Sequence, residues 1–116
     1  MHELGVARNL FELVLQKATE NNLKKITKIS VKLGEAAGIE KDFLSHSFAD
    51  HLLPGSIADG CELEITIEKV KAICKNCGTE FLPSQTVWDC PHCQTKNIEI
   101  ISGRDVYVTS IEGESH

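Results

Sequence analysis

Two C-x2-C pairs, Cys74-Lys75-Asn76-Cys77 and Cys90-Pro91-His92-Cys93, stand twelve residues apart. Each pair can chelate from one tight turn, and two such turns complete a tetrahedron of thiolates about 2.3 Å from a zinc ion with no position left open for substrate. A closed site of this kind is structural rather than catalytic. Residues 74–93 also hold two of the three prolines, Gly78 and the single Trp, and they lack the apolar periodicity needed to fold by burial alone. Structural zinc contributes about 10–16 kcal/mol in small peptides at neutral pH, enough to fold such a segment. Gly78 suits the turn after the first pair. A redox C-x2-C or a pair of disulfides would use the same spacing.

The rest of the chain sets the context for those thiols. With 116 residues there is room for one modest core and a satellite module held by something other than apolar burial. No stretch approaches the roughly 20 apolar residues that span a bilayer, and Met1-His2-Glu3 lacks the basic start and apolar run of an export signal. The expected setting is therefore a reducing cytoplasm, where paired cysteines favour metal, and no membrane partner is expected. The formal net charge of −5 argues against nucleic acid held by phosphate neutralisation. Residues 1–33 carry +3, residues 34–70 carry −6 and the remainder −2.

Periodicity organises the other residues. Leu4, Ala7, Leu10, Phe11, Val14, Leu15 and Ala18 recur at helical spacing and predict an amphipathic helix fraying into Asn21-Asn22. Ile29, Val31 and Leu33 alternate as a half-buried strand ending at Gly34. Phe43, Leu44, Phe48, Leu52 and Leu53 predict a second helix stopped by Pro54-Gly55. Cys61, Leu63, Ile65 and Ile67 then alternate with Glu62, Glu64, Thr66 and Glu68, so Cys61 is expected to be a small core hydrophobe. Strand, helix and strand make a βαβ-like crossover with both helices on one sheet face. A final strand around Val106–Ile111 returns to this sheet before a polar tail, Gly113 to His116. The expected fold class is α+β: a small mixed sheet covered by two helices, with an inserted four-cysteine zinc-ribbon-like domain. Residues 1–70 plus 101–116 form the first domain and 71–100 the second.

Five histidines remain to be placed. His46 and His51 are five apart, which on an α-helix does not bring two imidazoles to one ion. His116 lies in the tail, and His92 inside the second cysteine pair reads as a bystander. His2 differs, because a bulky second residue is expected to leave Met1 in place and so define the chain start. Its imidazole Nδ1 and amide nitrogen close a six-membered chelate ring, and the amides of His2 and Glu3 close a five-membered one. The Met1 amine can replace the Glu3 amide, since both must sit beside the His2 amide. Either way three planar nitrogens result, which select nickel(II) or copper(II) over zinc and leave one ligand to be supplied by another histidine or a partner's side chain. Amides at a helix start have no intrahelical acceptor, so their use for metal breaks no helix bond.

Met1-His2-Glu3, the first helix, Leu33-Gly34-Glu35, Gly55-Ser56-Ile57-Ala58-Asp59-Gly60-Cys61 and the two cysteine pairs, in this order, resemble the HypA-type nickel metallochaperone family of hydrogenase maturation. The resemblance spans nearly the whole chain. It implies a nickel-binding domain using His2 and nearby backbone (the Glu3 amide or the Met1 amine), and zinc on Cys74, Cys77, Cys90 and Cys93. It also implies delivery of Ni(II) to the precursor of a nickel-iron hydrogenase large subunit, with urease accessory proteins as further candidates, and a GTPase maturation partner. A monomer and a homodimer both agree with the sequence. A zinc-ribbon module for nucleic acid or protein would explain the cysteines but not the amino terminus. An enzyme is not expected, for the chain offers no nucleophile motif, Gly-rich phosphate loop or catalytic acid pair.

Overall fold

The structure is a computed structural model that describes residues 3–83 and 89–116, without the side chain of Glu3. Helix α1 (Glu3–Glu20) buries Val6, Ala7, Leu10, Phe11, Val14 and Ala18. Val6 thus joins the expected stripe, whereas Leu4 and Leu15 at its margins are half-buried. The helix stops where Asn22 turns left-handed at φ 57°. Asn tolerates this conformation, and the Asn21 side chain donates to Lys17 O at 2.8 Å, satisfying a carbonyl of the last turn.

Strand β1 (Leu23–Gly34) begins well before the alternating run, with Ile26, Ile29, Val31 and Leu33 facing inward. It is the centre of a three-stranded sheet, flanked by β2 (Glu62–Glu68) and β6 (Val106–Ser115). Ile26 N–H donates to Ile57 O, and Lys28 reaches Glu62 and Glu64, so partners rise together along β1 and β2 as in a parallel pair. Along β6 they run oppositely: Thr109 bonds Ser30 O, and His116 N–H bonds Asn22 O. The expected polar tail is therefore strand as far as Ser115. Gly113 makes this possible, since a Cβ there would collide with Lys25 O.

The second helical segment differs from a plain α-helix. Helix α2 (Lys41–His46) continues directly into a π-helical turn, Ser47–Leu52, in which Leu53 N–H reaches back five residues to Phe48 O at 2.9 Å. The inward stripe thus runs Leu44, Phe48, Leu53, while Leu52 is half-buried and Phe43 is exposed. Phe48 meets Phe11 edge to face, with ring centroids 6.3 Å apart. Pro54 and Gly55 follow as expected. The Gly55–Cys61 segment is then a chain of turns. Gly55 N–H donates to the Asp59 carboxylate, the Ser56 hydroxyl donates to Leu53 O and accepts from Ala58 N–H, and Ala58 is fully buried. In β2 only Ile65 is buried. Ile67 is 46% exposed and Cys61 half-buried, because an edge strand has a neighbour on one side only.

A second three-stranded sheet has the order β4 (Glu80–Phe81), β3 (Lys71–Cys74), β5 (Ile98–Ser102), with both neighbours antiparallel to β3. By compactness the chain divides into two units: Met1–Lys32, Ile39–Thr66 and Tyr107–His116 in one, Leu33–Gly38 and Ile67–Val106 in the other. Within the second, Gly34 and Glu35 find their purpose. Gly34 N–H donates to Asp105 O, Ala36 N–H to Gly103 O and Glu35 N–H to Glu68 O, while the Glu35 carboxylate accepts from Val70 N–H at 3.0 Å. Backbone approaches so closely that a Cβ on Gly34 would overlap Gly103 O. Among the described residues no helix is long and apolar enough to cross a membrane.

Candidate metal centre

Strand β3 carries Ala72 and Cys74 inward and ends at the first cysteine pair. Two turns follow the same plan. In the first, Cys77 N–H points at Cys74 Sγ (3.4 Å), Gly78 N–H donates to Cys74 O, and Cys74 N–H donates to Thr79 O. In the second, Cys93 N–H points at Cys90 Sγ (3.4 Å), Gln94 N–H donates to Cys90 O, and Cys90 N–H donates to Thr95 O. The residue after each pair is left-handed, Gly78 at φ 78° and Gln94 at φ 61°. The sequence therefore holds a C-x2-C-x-T repeat, Cys74 to Thr79 and Cys90 to Thr95, whose threonines sequence reasoning missed. Their matching offset was the available signal.

The two turns bring all four sulfurs together. The Sγ atoms of Cys74, Cys77, Cys90 and Cys93 lie within 4.8 Å of one another. Cys74 and Cys93 approach to 3.4 Å, and Cys77 and Cys90 to 3.6 Å. A zinc tetrahedron with bonds of about 2.3 Å has edges of about 3.8 Å, so the donors match a zinc ion in kind, number and spacing. Disulfides need sulfurs about 2.05 Å apart, and all the cysteines are free. One cysteine of each pair, Cys74 and Cys90, is buried, while Cys77 and Cys93 are exposed.

Electrostatics explain why the cluster calls for a cation. The Thr79 hydroxyl and N–H beside Cys77 lower its pKa to about 6. Burial opposes ionisation of Cys90, but the N–H groups of Cys93 and His92 outweigh it and hold its pKa below the usual thiol range. At Cys93 the Thr95 N–H favours the thiolate, yet the sulfurs of Cys74, Cys90 and Cys77, with burial, push it up to about 12. Several negative charges cannot share this volume unaided. A bound dication removes the conflict and lets all four become thiolates. His92 serves the cluster through its backbone, with its N–H 3.4 Å from Cys90 Sγ.

His46 and His51 line the same open groove, with Phe43 and Ser47 from their own segment and Leu4, Gly5 and Arg8 from α1. Five residues of α-helix would set two side chains about 140° apart, and the wider winding of the π turn narrows that separation. Met1 and His2 lie outside the described residues, as does the Glu3 side chain, while the Glu3 backbone opens α1.

Comparison with known proteins places this architecture. The family described as hydrogenase/urease nickel incorporation, metallochaperone, hypA matches residues 1–113. The chain belongs to the HypA family. It is 37% identical over 114 residues to the hydrogenase maturation factor HypA of Aquifex aeolicus, covering 98% of each chain. It is 35% identical over 115 residues to that of Caldanaerobacter subterraneus, covering 98% of this chain and 100% of the relative. The solution structure of the Ni metallochaperone HypA from Helicobacter pylori superposes with a TM-score of 0.77 at 28% identity, covering 100% of both chains. The chain is thus a non-catalytic nickel metallochaperone of hydrogenase maturation, α+β in fold, with a four-cysteine cluster suited to zinc.

Proposed function

We propose that the protein holds Ni(II) at its amino terminus and delivers it, in the cytoplasm, to the precursor of a nickel-iron hydrogenase large subunit. A GTPase maturation partner assists, and urease is a second client. The observation that carries this reading is the family match over residues 1–113, which takes in Met1-His2-Glu3 and both cysteine pairs. Nickel is cargo. It is held by the His2 imidazole and amide, with the Glu3 amide or the Met1 amine as third nitrogen, and leaves when an acceptor offers better ligands. Zinc on Cys74, Cys77, Cys90 and Cys93 is structural, holding residues 71–100 folded, while residues 1–70 with 101–116 form the nickel domain. No substrate bond is broken.

The chemistry of the donors sets a pH dependence. The imidazole must be neutral and the amides must lose their protons, so acid weakens nickel binding. The deciding measurement is nickel and zinc stoichiometry and affinity on protein with a native, untagged amino terminus, beside His2→Ala. One tight zinc and one nickel that only the variant loses is the expected result. Normal nickel affinity in His2→Ala overturns the site, and an affinity that stays flat from neutral to mildly acidic pH speaks against these ligands.

A further inference from the structure

Charge is sorted by strand position in both sheets. The central strands are basic, with Lys24, Lys25, Lys28 and Lys32 on β1 and Lys71 on β3. The edge strands hold no lysine or arginine and carry Glu62, Glu64 and Glu68 on β2, Glu112 and Glu114 on β6, Glu80 on β4 and Glu99 on β5. On β2 the excess is open to solvent. Lys28 Nζ lies 3.6 Å from Glu62 Oε2 and 3.7 Å from Glu64 Oε2, yet those glutamate side chains are 66% and 53% exposed. One ammonium answers both carboxylates, and Glu64, then Glu62 and Glu112, raise its pKa.

The backbone of β2 is open as well. Every second residue of an edge strand turns its N–H and C=O away from the sheet, and among the described residues no backbone bond from outside the sheet reaches residues 62–66. Apolar surface stays open along the same edge. Leu63 is half-buried, and Ile57, whose carbonyl takes the Ile26 N–H ahead of the strand, is 39% exposed. A second copy of the chain is a poor occupant, because its own edge strands would set glutamate against glutamate. We propose that β2 is a docking edge for a partner protein's extended segment in which Lys or Arg alternates with apolar residues, added as a fourth strand of the sheet. β1 shows the match from the other side: Lys28 answers Glu62 and Glu64, while Ile29 and Val31 turn to the core. A segment of the same pattern on the open side completes the charge ladder on one face and covers Leu63 on the other. β6 is the weaker edge, since its acids stand only toward one end.

The test uses the full zinc-loaded chain and three short synthetic peptides. In one, lysine alternates with valine; in the next, glutamate replaces the lysine; in the last, the lysine peptide has its central valines changed to proline, which cannot pair as an inner strand. Calorimetry reads affinity, and amide hydrogen exchange locates the bound peptide. The lysine peptide should bind, lose affinity as salt rises, and slow exchange within residues 62–66. Replacing both carboxylates, Glu62→Gln with Glu64→Gln, should weaken it by about fivefold. Both side chains are exposed, so the variant keeps its fold, with zinc content and circular dichroism as controls. The glutamate and proline peptides should bind about tenfold more weakly than the lysine peptide, or not at all. Equal binding of the proline peptide reduces the effect to bulk charge and overturns the docking edge. So does protection on β6 in place of β2, parent affinity in the double variant, or a lysine peptide that does not bind.

Discussion

Two residues in equivalent places, Gly78 and Gln94, show how local backbone energy enters the cysteine cluster. Both close a C-x2-C turn in the left-handed region, where an L side chain costs about 1–2 kcal/mol and glycine nothing. A Cβ on Gly78 would meet open space, so the cost there is conformational alone. Gly78→Ala should therefore destabilise the zinc-bound protein by about 1 kcal/mol, and Gln94→Gly should stabilise it by up to about 1 kcal/mol. The midpoint of zinc release against a competing chelator checks both. Gly34 is a different case, because its φ is not left-handed and the constraint is contact. The added methyl of Gly34→Ala overlaps the carbonyl of Gly103 and that of Asp105, which as backbone cannot swing aside. A loss of about 2–3 kcal/mol is expected, read as a fall in thermal midpoint.

At the scale of elements, the π turn decides which side chains face inward. Phe48 is fully buried, lies edge-on to Phe11 and sits between Leu44 and Leu53 in the stripe. Phe48→Ala should cost about 3–5 kcal/mol and loosen the packing of α1, measurable by denaturant titration with a probe of helix content. The stripe itself was legible, since Leu44, Phe48 and Leu53 all appeared in the apolar pattern. The inserted residue was not: Leu52 and Leu53 both fit the pattern, and only the five-residue hydrogen bond at Leu53 chooses between them. Strand ends were misread for a related reason. Gly113 to His116 has no alternating apolar residues, so its strand state rests on backbone pairing with β1, to which sequence periodicity is blind. The four cysteines, by contrast, were legible, because metal spacing is written directly in the order of its ligands, while the supporting Thr79 and Thr95 were not.

At the scale of the whole molecule, the two units draw on different sources of order. The first buries Ala7, Phe11, Val14, Ile26, Ile29, Leu44 and Phe48, a conventional apolar core that contains no cysteine of the cluster. Among the described residues the second buries few large apolar side chains, and its buried set is Leu33, Val70 and Ala72 together with Cys74 and Cys90. Removing zinc should therefore raise amide exchange across residues 71–102 and leave α1 and β1 protected, as hydrogen exchange of chelator-treated protein can show. Proton release on reloading gives a sharper check. At pH 7.5, roughly one and a half units above the Cys77 pKa of about 6, that thiol is already ionised and contributes almost no proton. Cys93, pushed up to about 12, is fully protonated and contributes one. Zinc binding at this pH should thus release fewer than four protons. Lowering the pH through 6 restores the proton of Cys77, so the number released must rise and the zinc affinity must fall together. Titration calorimetry in buffers of different ionisation enthalpy counts those protons directly. A count of four at pH 7.5 would mean that Thr79 does not hold Cys77 as a thiolate before the metal arrives.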